Sequence, residues 1–182
     1  MAKNDNPQAR RLLESMTAHG EEEAGQCFAE AHPLGKSADI RKKFAWAQSL
    51  CAFLDERYDE ETVKAIRMDC ACGPSAGQFP QVRALYAQEK DPQAFAEGVN
   101  RLDLGFSLTW DGTGYILEYP MCYCSCVRRT DAVLPRSWCW CTLGYNKRLF
   151  ESILGREVQV DLLASVKQGD ETCRIRITPS GT

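Results

Sequence analysis

The chain has only two histidines, His19 and His32, in 182 residues. It has no apolar run near the ~20 residues that cross a bilayer, which excludes a membrane-spanning helix. No long run of lysine and arginine is present, and the net charge is -3. General attraction to nucleic acid or to an anionic membrane is therefore excluded. Arg128, Arg129 and Arg136 form the one local basic group, and they read as a solvated loop or a structural ion pair rather than a nucleic-acid surface. No glycine-rich phosphate loop is present; Gly112 and Gly114 belong to a turn. No Ser-His-Asp or Cys-His pair is visible along the chain. The first residues, Met1 to Arg10, are polar and lack the apolar stretch of a secretion signal, so a cytoplasmic location is expected. Thiols are kept reduced there.

Cysteine is abundant by contrast, with ten in all. Seven fall into three tight clusters: Cys70-Ala-Cys72, Cys122-Tyr-Cys124-Ser-Cys126 and Cys139-Trp-Cys141. A reducing compartment turns these away from disulfides and towards metal or redox chemistry. Thiolates are soft ligands for zinc and for iron–sulfur clusters, and both need several sulfurs converging on one point. In an extended strand, residues i and i+2 share a side but stand about two 3.3 Å rises apart, so Cys-X-Cys must bend to chelate. The chain after Pro120 is free to curl, and the loop from Val127 to Trp138 lets the second and third clusters meet. Cys139 and Cys141 are expected just before a helix, whose N-terminus favours thiolates. The expected metal ligands are Cys70, Cys72, Cys122, Cys124, Cys126, Cys139 and Cys141. Zinc is the expected cofactor, with an iron–sulfur cluster as the alternative.

The spacing is not the Cys-X-X-Cys of zinc knuckles. A metal-free thiol set is a further reading, because short Cys-X-Cys disulfides are strained and easily reduced. Cys27, Cys51 and Cys173 each lie on an apolar face and are expected to pack as small hydrophobes. His19 reads as exposed and His32 as part of a turn. Asp69 reads as a solvated acid, and Glu21 to Glu23 as a solvated helix start.

A length of 182 residues suits one domain with a real core, and the 44% hydrophobic and 26% charged fractions are those of a globular protein. The first hundred residues read as helices. Apolar residues repeat at helical spacing over Gln8–Gly20, Ala24–Ala31, Ser37–Tyr58, Glu60–Met68 and Gln81–Glu89, and Asp91-Pro92 opens another helix through Val99. Ser37 is the expected N-cap of the longest. Cys70 to Gly77 reads as a tight turn.

The period then changes. Phe106, Leu108 and Trp110, and then Tyr115, Leu117 and Tyr119, alternate around Asp111-Gly112-Thr113-Gly114, which marks a hairpin. A helix is expected over Thr142–Leu154, with Gly155 as its C-cap. A second hairpin runs over Glu157–Val166 and Thr172–Thr178. There Cys173, Ile175 and Ile177 face one way, and Arg174 and Arg176 the other. The expected architecture is α+β: one domain over 1–182, helical over 1–100 and sheet-containing over 101–182. A hairpin–helix–hairpin would form a four-stranded antiparallel sheet packed on helices.

The stretch from Cys139 to Ile177 is carried by Phe150-Glu151-Ser152-Ile153-Leu154-Gly155, Val158-Gln159-Val160 and Ser165 through Ile177. It resembles the C-terminal part of 4-vinyl-reductase (hydrocarbon-binding) domains and of L-2-amino-thiazoline-4-carboxylic acid hydrolase-like proteins. Gly169, Asp170 and Cys173 match residue by residue. The resemblance covers about forty residues and implies a small apolar or metabolite ligand held between helices and sheet, with cysteine-bound metal in some members.

The function expected from the sequence is a cysteine-rich, zinc-binding domain that binds or senses a small ligand, with a homodimer allowed. The alternatives are a metal- or thiolate-dependent hydrolase of a small amide or heterocycle, and a thiol redox or iron–sulfur sensor.

Overall fold

The computed structural model describes residues 4–73 and 79–180. Residues 74–77 of the turn expected after Cys70 lie outside that set. The fold is α+β, with seven α-helices and one four-stranded antiparallel sheet among the described residues. Residue contacts group the chain into two compact units, each made of two stretches: 1–71 with 123–144, and 72–122 with 145–182.

The first unit is helical. α1 (Pro7–Ala18) begins where Asn6 accepts from the Gln8 amide, with Pro7 supplying the fixed φ of a first helical position. α2 (Glu22–Ala31) packs on α1, and Gly25 lies so near Met16 that a Cβ would stand 3.2 Å from the Met16 Cβ. α3 (Ile40–Arg57) is capped by Asp39, whose carboxylate accepts from the Lys42 amide at 2.8 Å. The cap thus falls two residues beyond Ser37, because Asp39 is the side chain placed three residues before that amide. Trp46, Ala47, Leu50, Cys51 and Leu54 form its buried stripe. α4 (Glu60–Asp69) starts at Asp59, which accepts from the Thr62 amide, and buries Val63, Ile66 and Arg67.

α7 (Arg136–Leu154) begins six residues before the expected Thr142. Trp and Cys are weak helix formers, so local propensity understates this start. Burial of Trp138, Cys139 and Trp140 decides it. Residues 136–144 of α7 belong to the first unit, and there α7 crosses α4 closely. A Cβ on Gly144 would stand 1.9 Å from the Met68 carbonyl oxygen.

The second unit holds α5 (Pro80–Gln88), α6 (Pro92–Asn100), the rest of α7 and the sheet. β1 (Ser107–Trp110), β2 (Tyr115–Tyr119), β3 (Val158–Ala164) and β4 (Cys173–Pro179) are ordered β1-β2-β4-β3, with every neighbour antiparallel. Leu108 pairs with Leu117, Leu117 with Ile175, and Ile175 with Leu162. Alternation therefore collects these four on one buried face, where each contributes about 1.5–3 kcal/mol. Asn100 pins α6 to β1 by donating to the Leu108 carbonyl and accepting from its amide. The β3–β4 turn contains a 3-10 helix, Val166–Gln168, closed by Gly169 at φ +99°.

Candidate functional site: a buried guanidinium among thiols

The site is assembled on α4 within the first unit. Val63, Ile66 and Arg67 share the buried stripe at helical spacing, so Arg67 is carried into the interior, 1% exposed. Its Nη2 donates to the Trp138 carbonyl at 2.9 Å and its Nε to the Ser137 carbonyl at 3.3 Å. The guanidinium also lies over the Trp138 ring, 4.8 Å from the centroid, and donates to the Cys70 sulfur. The Trp138 ring is met edge-on by Trp46. Burying an ion costs several kcal/mol. Two charge-assisted bonds of about 1.5–3 kcal/mol each and a desolvated cation–π contact of ~2 kcal/mol offset much of that.

Among the described residues no salt bridge reaches Arg67; the sulfurs of Cys141, Cys70, Cys51 and Cys124 lie within electrostatic reach of it. Desolvation alone lowers the Arg67 pKa, but Cys141, Cys70, Cys51 and Cys124, in that order of strength, outweigh it and the net shift is upward. Each of three thiols feels the reverse balance. Burial pushes Cys51 and Cys70 up, with Arg67 pulling both down. Cys124 is pushed up first by its hydrogen bond with Cys126 and then by burial. Burial thus favours the neutral thiols, while negative charge on any one of these sulfurs and positive charge on Arg67 stabilise each other.

Ser137 ties α7 to α3: its Oγ donates to Asp55 at 2.9 Å and is in hydrogen-bonding contact with Cys51. One turn on from Ser137, the Cys141 Sγ donates at 3.4 Å to the Trp138 carbonyl, the same oxygen that Arg67 binds. α3, α4, the 123–135 loop and α7 thus each contribute to one cluster.

The fate of each expected ligand follows. Cys70, Cys124 and Cys141 come together around Arg67, and Cys126 contacts Cys124. Cys139 is buried on α7, and helical geometry sends it about 200° around the axis from Cys141. It does not precede the helix as expected. Cys72, exposed, and Cys122, partly exposed, belong to the second unit. Cys51, read as core packing, belongs to the cluster, and Arg67 was missed altogether. Cys27 is exposed, because α2 buries the face of Gly25, Phe28 and Ala29. The Cys173 sulfur accepts from the Val166 amide. His19 pairs with Asp69, and His32 stacks on Phe28.

The zinc expectation is corrected by this arrangement, and the iron–sulfur alternative with it. Among the described residues no three histidine, cysteine, aspartate or glutamate side chains form a group that could hold a metal ion. The positive centre within electrostatic reach of these sulfurs is the chain's own guanidinium, and a second one beside it would be repelled.

A model of one protein family, described as Family of unknown function (DUF6144), matches residues 1–182. The chain belongs to DUF6144. No curated protein matches it. Solved structures similar to this DUF6144 chain include H-NOX proteins of Shewanella oneidensis. One in the Fe(II) ligation state, a triple mutant, has 15% identity and a TM-score of 0.45 over 97% of this chain and 96% of that chain. A second, determined by NMR in the Fe(II)CO state, has 16% identity and a TM-score of 0.47 over 97% and 99%. A third, in the Fe(II)NO state, has 16% identity and a TM-score of 0.44 over 97% and 99%. Similarity at that level gives this DUF6144 chain neither a ligand nor an activity. The expected kinship with 4-vinyl-reductase and thiazoline hydrolase-like proteins is overturned: the family model that spans residues 1–182 is DUF6144, and forty residues of helix and hairpin are too common a pattern to define kinship. Among the described residues no helix is long and apolar enough to cross a membrane.

Proposed function

We propose that this chain is a thiol-based sensing domain whose small ligand is an oxidant of the hydroperoxide class. One observation carries the reading: a fully buried guanidinium with four cysteine sulfurs in electrostatic reach. Packing alone does not explain that set, since a neutral thiol offers a buried guanidinium little more than another small apolar group, whereas a sulfur that becomes negative compensates it. Redox chemistry does explain it. Oxidation of sulfur passes through anionic or strongly polar forms, and an adjacent guanidinium favours those over the neutral thiol. The protonated resting state keeps the cluster quiet in a reducing compartment, and Cys124 and Cys141 are the partly exposed members that an oxidant can reach.

The test is peroxide treatment of protein purified under reductant and then desalted, followed by mass mapping of the thiols. A disulfide within the set Cys51, Cys70, Cys124, Cys126 and Cys141, reversed by dithiothreitol, is expected. The emission of Trp46 and Trp138 should change with it, because both rings border the cluster. If every thiol remains open to alkylation after peroxide, the proposal fails.

A further inference from the structure

Two pairings on α3 and α7 single out two of the sulfurs. Cys51 and Asp55 are one turn apart on α3, and Ser137 and Cys141 one turn apart on α7, so each pair shares a face. Ser137 touches both members of the α3 pair, donating to Asp55 at 2.9 Å and contacting Cys51. The face of α7 that bears Cys141 is therefore the face that meets Cys51. Cys141 is also placed against the guanidinium. Its sulfur and Arg67 Nη2 converge on one carbonyl, that of Trp138, from 3.4 and 2.9 Å. Cys141 is partly exposed, whereas Cys51 is 1% exposed. One thiol can meet a solute, and the other can meet only its neighbour.

We propose that Cys141 is the thiol that reacts with hydroperoxide, that Cys51 is the thiol that resolves the product, and that Arg67 is the positioning residue that holds the developing negative charge. The proposal rests on the thiol-sensing reading above. In the first step the Cys141 thiol, which donates to the Trp138 carbonyl at rest, gives up its proton, and the thiolate attacks the outer oxygen of the peroxide. An S–O bond forms and the O–O bond breaks; the alkoxide or hydroxide leaves and takes up a proton in exchange, giving an alcohol or water. Sulfur is oxidised by two electrons and the peroxide is reduced by two. In the second step the Cys51 sulfur displaces hydroxide from the Cys141 sulfenic acid, and the hydroxide leaves as water with the Cys51 proton. The product is a Cys51–Cys141 disulfide joining α3 to α7. The competing closure, Cys124 with Cys126, makes a short strained ring.

The experiment follows peroxide consumption and thiol mapping in the full chain and in Cys141→Ser, Cys51→Ser, Arg67→Met, Arg67→Lys and Cys27→Ser. The wild-type chain should yield the Cys51–Cys141 disulfide. Cys141→Ser removes the reacting sulfur and should slow consumption by more than the roughly tenfold loss that raising a thiol pKa by one unit would give. Cys51→Ser should stop at a sulfenic acid on Cys141 that dimedone traps. Arg67→Met should slow the reaction by a similar factor and Arg67→Lys restore most of it, a rescue by charge that a purely structural role would not give. Cys27→Ser, on the outer face of α2, should react like wild type. A wild-type disulfide between Cys124 and Cys126, with Cys141→Ser as fast as wild type, would overturn this assignment and leave the sensing reading standing. Absence of any oxidation would remove both. Folded Arg67→Met reacting at the wild-type rate would remove the role of Arg67, and if that variant does not fold, the two cysteine variants still decide the rest.

Discussion

Gly144→Ala is the sharpest test of how the cluster is built. Helix propensity by itself favours alanine, because a glycine in a helix interior is worse by about 1 kcal/mol. The crossing of α7 over α4 argues the other way. A Cβ at position 144 would lie 1.9 Å from the Met68 carbonyl oxygen, 2.6 Å from its carbon and 2.8 Å from its Cα. All three atoms are backbone, so no side-chain rotamer relieves the clash. To bring 1.9 Å out to the 3.4 Å at which ordinary contact begins, the two helices must part by about 1.5 Å. That gap forfeits a large share of the dispersion contacts along the interface. Overpacking costs about 1–3 kcal/mol where side chains can yield and occasionally more; with three backbone atoms in the way the gross cost should be about 3–5 kcal/mol, leaving a net loss of about 2–4 kcal/mol after the propensity gain. At about 2–4 °C per kcal/mol for a chain of this size, the melting temperature should fall by roughly 5–15 °C.

Thermal melts followed by circular dichroism measure the shift, and hydrogen exchange should locate the loss in α4 and the first turns of α7. Gly98→Ala is the matched control. Its new Cβ would meet only the Leu85 side chain, 2.7 Å from Cδ2 and 3.2 Å from Cδ1, which a rotamer change can clear. Its loss should stay below that of Gly144→Ala by a clear margin. A Gly144→Ala protein that melts at or above wild type would refute the close crossing, and with it the placement of Arg67, which directly precedes Met68.

Two further outcomes concern the second unit. Tyr119→Phe removes a 2.8 Å bond to Asn146 Oδ1 on α7, and urea unfolding should show a loss of about 1–2 kcal/mol; an unchanged midpoint would mean the bond does not form in solution. Asp111 in the β1–β2 turn is held below its ordinary value of 3.8 chiefly by the Thr113 amide, with help from the Gly114 amide, the Thr113 hydroxyl and Arg176. A depressed folded pKa means the carboxylate stabilises the turn above pH 3.8 and loses that contribution as the pH falls through the folded value. An NMR titration of Asp111 should therefore show a midpoint below that of Asp in an unstructured peptide, and a midpoint at or above 3.8 would contradict the turn geometry.

Much of the fold was readable because its signals are local. Asp59 and Asp91 sit three residues before the amides they cap, Pro7, Pro80 and Pro92 open helices, and Asp111 with Gly112 at φ +97° closes a hairpin. Alternation in β2 and β4 gave the register of the buried face. The start of α7 was not legible, since Trp138-Cys139-Trp140-Cys141 suits a bent loop as well as a helix until the packing of the indoles decides. That one misplacement changed the chemistry, because a loop can aim Cys139 and Cys141 at one atom whereas a helix sends them apart.

The cluster itself was half visible, and the reason is specific. Counting sulfurs identifies a place where negative charge can form, but it does not say what positive charge stands opposite. A metal ion is the obvious answer only when the chain offers no cation of its own. Here it does: Val63, Ile66 and Arg67 recur at i, i+3 and i+4, so the arginine stands in the apolar stripe of α4 where the pattern calls for leucine. A charged residue at a core position must be compensated inside the protein, and the soft, ionisable groups in reach are Cys70 at the end of the same helix and cysteines of three other segments. The arginine out of place in its helix and the surplus of sulfur elsewhere in the chain are thus two halves of one electrostatic arrangement, and neither half is explained without the other.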